Sequence, residues 1–431
     1  MARAYLNARL LDPASGLDTV GGLIVEGGVI AALGASITAD GLADDIERTD
    51  CGGACLAPGL VDIRVRVGEP GEAHKETIAS ASAAAAAGGV TALACLPDGP
   101  EPIDRRAGLE YVARRAREIK STKIFAYACV TRGAEGRELA EMGLLAEAGA
   151  VAFSDGRHAV ADALVMSRAL AYAGALGKTI VQHPEEPRLA SEGVMNAGEI
   201  ATRLGLSGIP RQAEAIMIER DLRLVELTGA RYHVAHVSTA ESVEILRQAK
   251  RRGLPVTCDT APPYFALTEV DVGDYRTFAR LSPPLRSDAD RQAVVGGVAD
   301  GTIDIVASDH WPQDVESKRL PFALAEPGIV GLETLLPLTL ELVHRGQVPL
   351  MQALAALTCR PADLIGHTLG RLTKGAPADL ALFDLDRPGR IEVDRFRSKS
   401  KNSPFDGRPI SGAVLATIVD GRPVYQAEGF G

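Results

Sequence analysis

Four side chains in this 431-residue sequence are of the types that a divalent transition metal uses: Asp155 in GAVAFSDG, His183 in TIVQHPE, His236 in YHVAHVS and Asp309 in DIVASDHWP. Two imidazoles and two carboxylates brought to one place make a donor set for zinc or a similar ion. A carboxylate beside such an ion can also carry a proton. Any one of the four, taken singly, reads as a structural hydrogen-bonder. Position raises them above that, because each stands at the end of a short apolar run. His233 alternates with the neighbours of His236 and reads as a core histidine. His74, His158, His344 and His367 have no metal-like spacing and read as surface or structural residues.

A fifth segment carries charge where little is expected. In GLVDIRVRVGEPG, Val61, Ile63, Val65 and Val67 fall on one face of a strand, and Asp62, Arg64 and Arg66 on the other. If that strand is central in a sheet, the acid and both arginines need partners.

The elements that would position these residues alternate along the middle of the chain. Strands are expected at 60–67, 90–97, 123–130, 149–155, 179–185, 231–238, 255–261 and 304–312. Helical segments fall between them. ETIASASAAAAAGG has an Ala-rich body ending in glycines, and AEAIMIERDLRLVELTG has i, i+3/i+4 apolar spacing and also ends in Gly. ESVEILRQAKRRG and DADRQAVVGGVADG repeat the theme. Eight strands with intervening helices predict an α/β fold of the (β/α)8 TIM-barrel type, in which C-terminal strand ends build the site. No G-x-G-x-x-G loop follows the first strand, which disfavours a doubly wound open sheet. The first ~55 residues and the last ~60 are β-rich and turn-rich, so the two ends are expected to pair into a small β-sandwich. The expected division is 1–56 and 366–431 for that domain and 57–365 for the barrel.

The net charge of −10 excludes a general nucleic-acid or anionic-membrane surface. The six cysteines are scattered without a C-x-x-C pair, as expected for reduced thiols in a cytosolic protein. No basic-then-apolar leader opens the sequence, and no run approaches the ~18 apolar residues that span a bilayer. A cytoplasmic location is expected.

The motifs also resemble a family. APGLVDIRVRVGEPG with HKETI is similar to the first-strand signature of the cyclic amidohydrolases, and of the dihydroorotases in particular. AAAAAGGVTALACLPDGPEPID, FSDG, GVMNAGEI with LGLSGIP, YHVAHVSTAES, SPPLRSDADR, ASDHWP, PGIVGLET and SPFDGRPISG follow in family order. The resemblance spans nearly the whole chain. It implies a metal-dependent-hydrolase barrel, one or two zinc ions holding a hydroxide, and an aspartate after the eighth strand that shuttles the proton. That aspartate is Asp309; Asp155, His183 and His236 match ligand positions.

The departures from the family pattern are concentrated at strand ends. The two first-strand histidines are Arg64 and Arg66. The arginine that grips a substrate carboxylate is Gly68. The Asn-Thr after the second strand is Asp98-Gly99, the Asn of N-P-P-L-R is Ser282, and the His-His after the seventh strand is Pro263-Tyr264. Arginine stays protonated and has no lone pair to offer a metal. A guanidinium ~5 Å from a divalent ion, at an effective dielectric of ~20, costs roughly 6–7 kcal/mol. At most one zinc, on Asp155, His183 and His236, is expected, and only if the arginines swing away. Charge-assisted pairs of Arg64 and Arg66 with Asp309, Asp155 or Asp62 are expected in its place. Members of the family that lack the first-strand H-x-H serve as assembly partners of aspartate carbamoyltransferase. The resemblance thus implies an inactive dihydroorotase-like subunit of pyrimidine biosynthesis that binds the transferase catalytic chain and is itself oligomeric. The alternative is an active cyclic amidohydrolase with an atypical mononuclear site and Asp309 as base.

Overall fold

The computed structural model describes residues 2–430. Both ends of the chain meet in one eight-stranded sheet. Arg3–Asp12, Leu17–Glu26, Val29–Gly34, Glu47–Asp50 and Cys55–Pro58 come from the N-terminal side; Leu380–Arg390, Pro409–Val419 and Arg422–Gln426 come from the C-terminal side. They join where Cys55–Pro58 pairs antiparallel with Leu380–Phe383. Strand alternation divides the apolar residues between two cores. Leu10, Leu56, Leu380, Leu382 and Ile418 enclose a core of the small domain, whereas Leu11, Cys55, Ala57 and Phe383 pack into the barrel's core. A one-residue slip would exchange these sets, so the register is fixed by both partners. The expected β domain from both termini is therefore present, hydrogen-bonded continuously through all eight strands.

The barrel begins immediately after it. Leu60–Val65 pairs in parallel with Val90–Cys95, and that strand with Lys123–Ala126. The fourth extended segment, around Phe153, makes single bridges to Ala128 and Ile180. Ile180–Gln182, Tyr232–Val234, Val256–Thr260 and Ile305–Val306 follow in parallel. The ring closes through Arg66 N to His310 O at 2.8 Å and His310 N to Arg64 O at 3.1 Å. Every residue of the first strand is buried, so its charged face has no route to water.

Helices between the strands form where the sequence supplies caps. Thr77 and Ser80 make a reciprocal capping box at the start of Ile78–Ala87. Its Ala-rich body lets the chain approach closely; a Cβ at Gly88 would lie 2.1 Å from the Leu332 carbonyl oxygen. The six cysteines are buried and unpaired. No helix among the described residues is long and apolar enough to cross a membrane.

Ion pairs help to tie the two domains together. Lys123 Nζ, at the start of the third barrel strand, lies 2.5 Å from Asp379 Oδ2 and 2.9 Å from Asp420 Oδ1 in the small domain. Burial raises the Asp379 carboxyl above its usual value, against the pull of Lys123. Lys123→Met leaves that carboxylate without its cation. Urea unfolding should show a loss of about 1–3 kcal/mol at neutral pH. The loss should shrink as pH falls into the acid range and the raised carboxyl takes up a proton.

Candidate functional site

At the C-terminal ends of the barrel strands a single chain of contacts crosses the mouth. Arg64 Nε donates to Asp309 Oδ1 at 3.1 Å. Asp309 Oδ2 lies 3.2 Å from His236 Nδ1. His236 Nε2 is 2.6 Å from His183 Nδ1, and His183 Nε2 is 3.5 Å from Glu185 Oε1. Arg64, His183, His236 and Glu185 are buried; the Asp309 side chain is 19 % exposed. His236 and Asp309 both adopt left-handed backbone, at φ of 35° and 51°. Asp and His tolerate that region better than most residues, and strain of this kind collects at functional strand ends.

The charges fix the protons. Burial alone would raise the Asp309 carboxyl, but His236 and the Arg64 guanidinium outweigh it and hold it well below the usual carboxylate range. An ionised Asp309 can only accept, so His236 Nδ1 donates to it. His236 itself is pushed down by burial and by the nearby Arg64, against the pull of Asp309. Its Nε2 and the His183 Nδ1 share one hydrogen bond. Burial likewise opposes ionisation of Glu185, yet the His183 contact and the charge of Arg286 hold its carboxyl below the usual value.

His236 is held from behind by residues that sequence reasoning passed over. Its backbone N–H donates to Asp259 Oδ1 at 2.7 Å, and Asp259 Oδ2 is 2.9 Å from His233 Nε2. His233 is fully buried and acts as the core histidine expected of it. Glu214 accepts from the Ser238 and Thr239 amides, both at 3.1 Å, and fixes the loop that follows His236.

Asp155 stands apart. Its carboxylate accepts from Val130 N at 2.8 Å and from Thr131 N at 3.0 Å and Oγ1 at 2.5 Å. It fastens the turn after the third strand and does not face the histidines. Asp62 accepts from the amides of Arg64 at 3.1 Å and Ser308 at 3.2 Å, so it too contacts Arg64 through backbone alone.

Arg66 pairs with none of Asp309, Asp155 and Asp62. Its guanidinium lies 3.2 Å from Glu72 Oε2 and 4.0 Å from Asp98 Oδ2. Arg157 reaches the same Asp98 oxygen at 3.4 Å. Both guanidiniums sit by the Trp311 ring, at 5.4 and 4.6 Å from its centroid. Gly68 is closed off: a Cβ there would fall 2.1 Å from the Glu72 carbonyl oxygen and 2.8 Å from that of Glu76. No longer side chain enters without moving the 68–76 loop. Ser282 Oγ donates to Glu185 Oε1 at 3.3 Å. A cleft of ≈ 700 Å³ opens from His183, Glu185 and Ser282 toward Arg157, His158 and Arg137.

These residues do not fit a zinc ion as they stand. Asp155 is spent on backbone amides, and both His236 nitrogens are engaged. Two imidazole nitrogens sharing a tetrahedral zinc lie about 3.3 Å apart, against 2.6 Å here. Among the described residues no three His, Cys, Asp or Glu side chains converge as metal ligands. The guanidinium occupies the flank of Asp309 that a cation would use.

A closed α/β barrel, a sheet built from both termini and polar side chains gathered on strand ends five, six and eight are the features of an amidohydrolase-type fold. Solved structures agree. The L-hydantoinase (dihydropyrimidinase) from Arthrobacter aurescens superposes with a TM-score of 0.86 at 27% identity, covering 98% of this chain and 96% of that one. The dihydropyrimidinase from Brevibacillus agri NCHU1002 shares the fold at a TM-score of 0.86 and 22% identity, covering 100% of this chain and 96% of its own. Residues 53–242 match the dihydro-orotase-like family and residues 333–425 an amidohydrolase family. The chain is 46% identical to the dihydroorotase of Pelobacter propionicus over 97% of its length and 98% of that protein's. It is 43% identical to the dihydroorotase of Ehrlichia chaffeensis, over 99% and 95%. The chain belongs to the dihydroorotase family.

Two outcomes follow from the electrostatics. Arg64→Met leaves the partly exposed Asp309 carboxylate with only its His236 contact, and should cost about 2–4 kcal/mol in urea unfolding; Arg64→Met with Asp309→Leu should recover most of it. Burial pushes the Asp155 carboxyl up to about 6, against the Thr131 and Val130 hydrogen bonds. The folded state thus binds a proton that the unfolded state has released, so this group's contribution falls as pH rises from ~4 to ~6, by up to about 3 kcal/mol. Asp155→Asn should remove that portion of the pH dependence of unfolding.

Proposed function

We propose that this chain is a dihydroorotase-family protein that has exchanged metal-dependent hydrolysis for an assembly role. The observation that supports this reading is the buried Arg64–Asp309 pair. A fixed cation stands where the first-strand ligands of the family would hold a metal, and it neutralises the residue in the general-base position. The closed space at Gly68 supports the same reading, because an anionic cyclic amide needs a fixed cation for its carboxylate. On this reading the chain carries no zinc, works in the cytoplasm as an oligomer, and supports the catalytic chain of aspartate carbamoyltransferase. The barrel is kept as a scaffold by charge pairs in place of metal bonds.

A second reading is favoured by the close similarity to proteins named dihydroorotase and by the left-handed backbone at His236 and Asp309. It is an active cyclic amidohydrolase with a single zinc on Asp155, His183 and His236 and with Asp309 as base. That site requires Asp155 to leave its amides and Arg64 to leave Asp309.

The deciding experiment is co-expression with the cognate transferase chain, with turnover of dihydroorotate measured on the purified protein with and without zinc. Assembly predicts co-migration, a transferase that loses activity or size without this chain, and no turnover. Separate migration with a fully active transferase removes the assembly role. Turnover near or above ~1 per second, an ordinary enzymatic rate, establishes the second reading. Arg64→His with Arg66→His should raise zinc affinity by several orders of magnitude, measured by metal competition, if guanidinium repulsion is what excludes the ion.

A further inference from the structure

The opposite end of the barrel holds a cavity that the chemistry at the mouth does not use. It lies at the N-terminal ends of strands three to six and has a volume of ≈ 430 Å³, within the range of small-ligand sites. Lys178, Arg231 and His367 line it, and no carboxylate does. That is unusual in a protein of net charge −10. Lys178 is half-buried. Burial and the adjacent Arg231 both press its ammonium toward neutrality. His367 is likewise pushed down by burial and by the charges of Lys178 and Lys123. Lys123 is taken up by Asp379 and Asp420. Arg231 donates from one guanidinium nitrogen to the Gly177 carbonyl and lines the same cavity.

The remaining wall carries two tilted rings and aliphatic side chains. The Phe125 and His367 rings meet at 4.2 Å between centroids with planes 38° apart, and Leu364 and Ile365 continue the surface. Mutually repelling cations beside an aromatic wall suit a ligand with an anionic head and a planar body. A phosphate between Lys178 and Arg231 would relieve their repulsion and collect charge-assisted hydrogen bonds. A planar ring would lie against Phe125 and His367.

From this juxtaposition we infer that the closed end of the barrel is a binding site for a phosphomonoester carrying a flat ring, the chemical class of the mononucleotides. The site is separate from the mouth and does not depend on what the mouth does.

Calorimetric titration of the full chain with AMP, UMP, ribose 5-phosphate and inorganic phosphate tests this. The nucleotides should bind with Kd at or below about 1 mM. Ribose 5-phosphate and phosphate should bind about tenfold more weakly for want of the ring. Lys178→Gln and Arg231→Gln should each weaken nucleotide binding about tenfold. Both side chains lie at the surface or rim, so the variants should keep the melting temperature of the parent in the absence of ligand, and nucleotide should raise that temperature in the parent only. Three results overturn the inference: no nucleotide binding up to about 5 mM, phosphate binding as tightly as the nucleotides, or nucleotide binding that survives the double substitution.

Discussion

The pair between Arg64 and Asp309 sets the state of everything around it. Arg64 is buried and Asp309 only partly exposed, so each charge relies on the other. Once Asp309 is ionised, His236 Nδ1 must donate to it. Both ring nitrogens of His236 are then turned toward neighbours and not into open space. One side chain on the first strand thereby decides what two histidines on strands five and six can do.

A second set of charge pairs stands beside the first. Arg66 and Arg157 share Asp98, Glu72 completes the set, and Trp311 offers its ring to both guanidiniums. Arg64, Arg66 and Arg157 thus each find a carboxylate, in Asp309, Glu72 and Asp98.

The barrel and the shared terminal domain were legible because both rest on local pattern: apolar runs ending in turns, and β-rich ends that need each other's hydrogen bonds. The fourth strand was legible from GAVAFSD although only bridges hold it in the ring. The grouping of His183, His236, Asp309 and Arg64 was legible because strand ends share a rim. The direction of Asp155 was not, because it depends on the Val130–Thr131 turn, whose amides carry no mark in the sequence. Arg66 found Glu72 because the 68–76 loop folds back upon Gly68, a long-range choice that periodicity cannot show. Glu185 stands two residues from His183 in H-P-E and could have been noticed as its partner. Asp259 acts through a backbone amide, which no motif records.

The tight loop at Gly68 bears on how the mouth tolerates substitution. A histidine at position 64 would take away the cation to which Asp309 is committed, and an arginine at position 68 would meet carbonyl oxygens in the space it needs. The first change empties a place and the second overfills one. The mouth is thus a set of residues in which no member can be exchanged without shifting the load onto its neighbours.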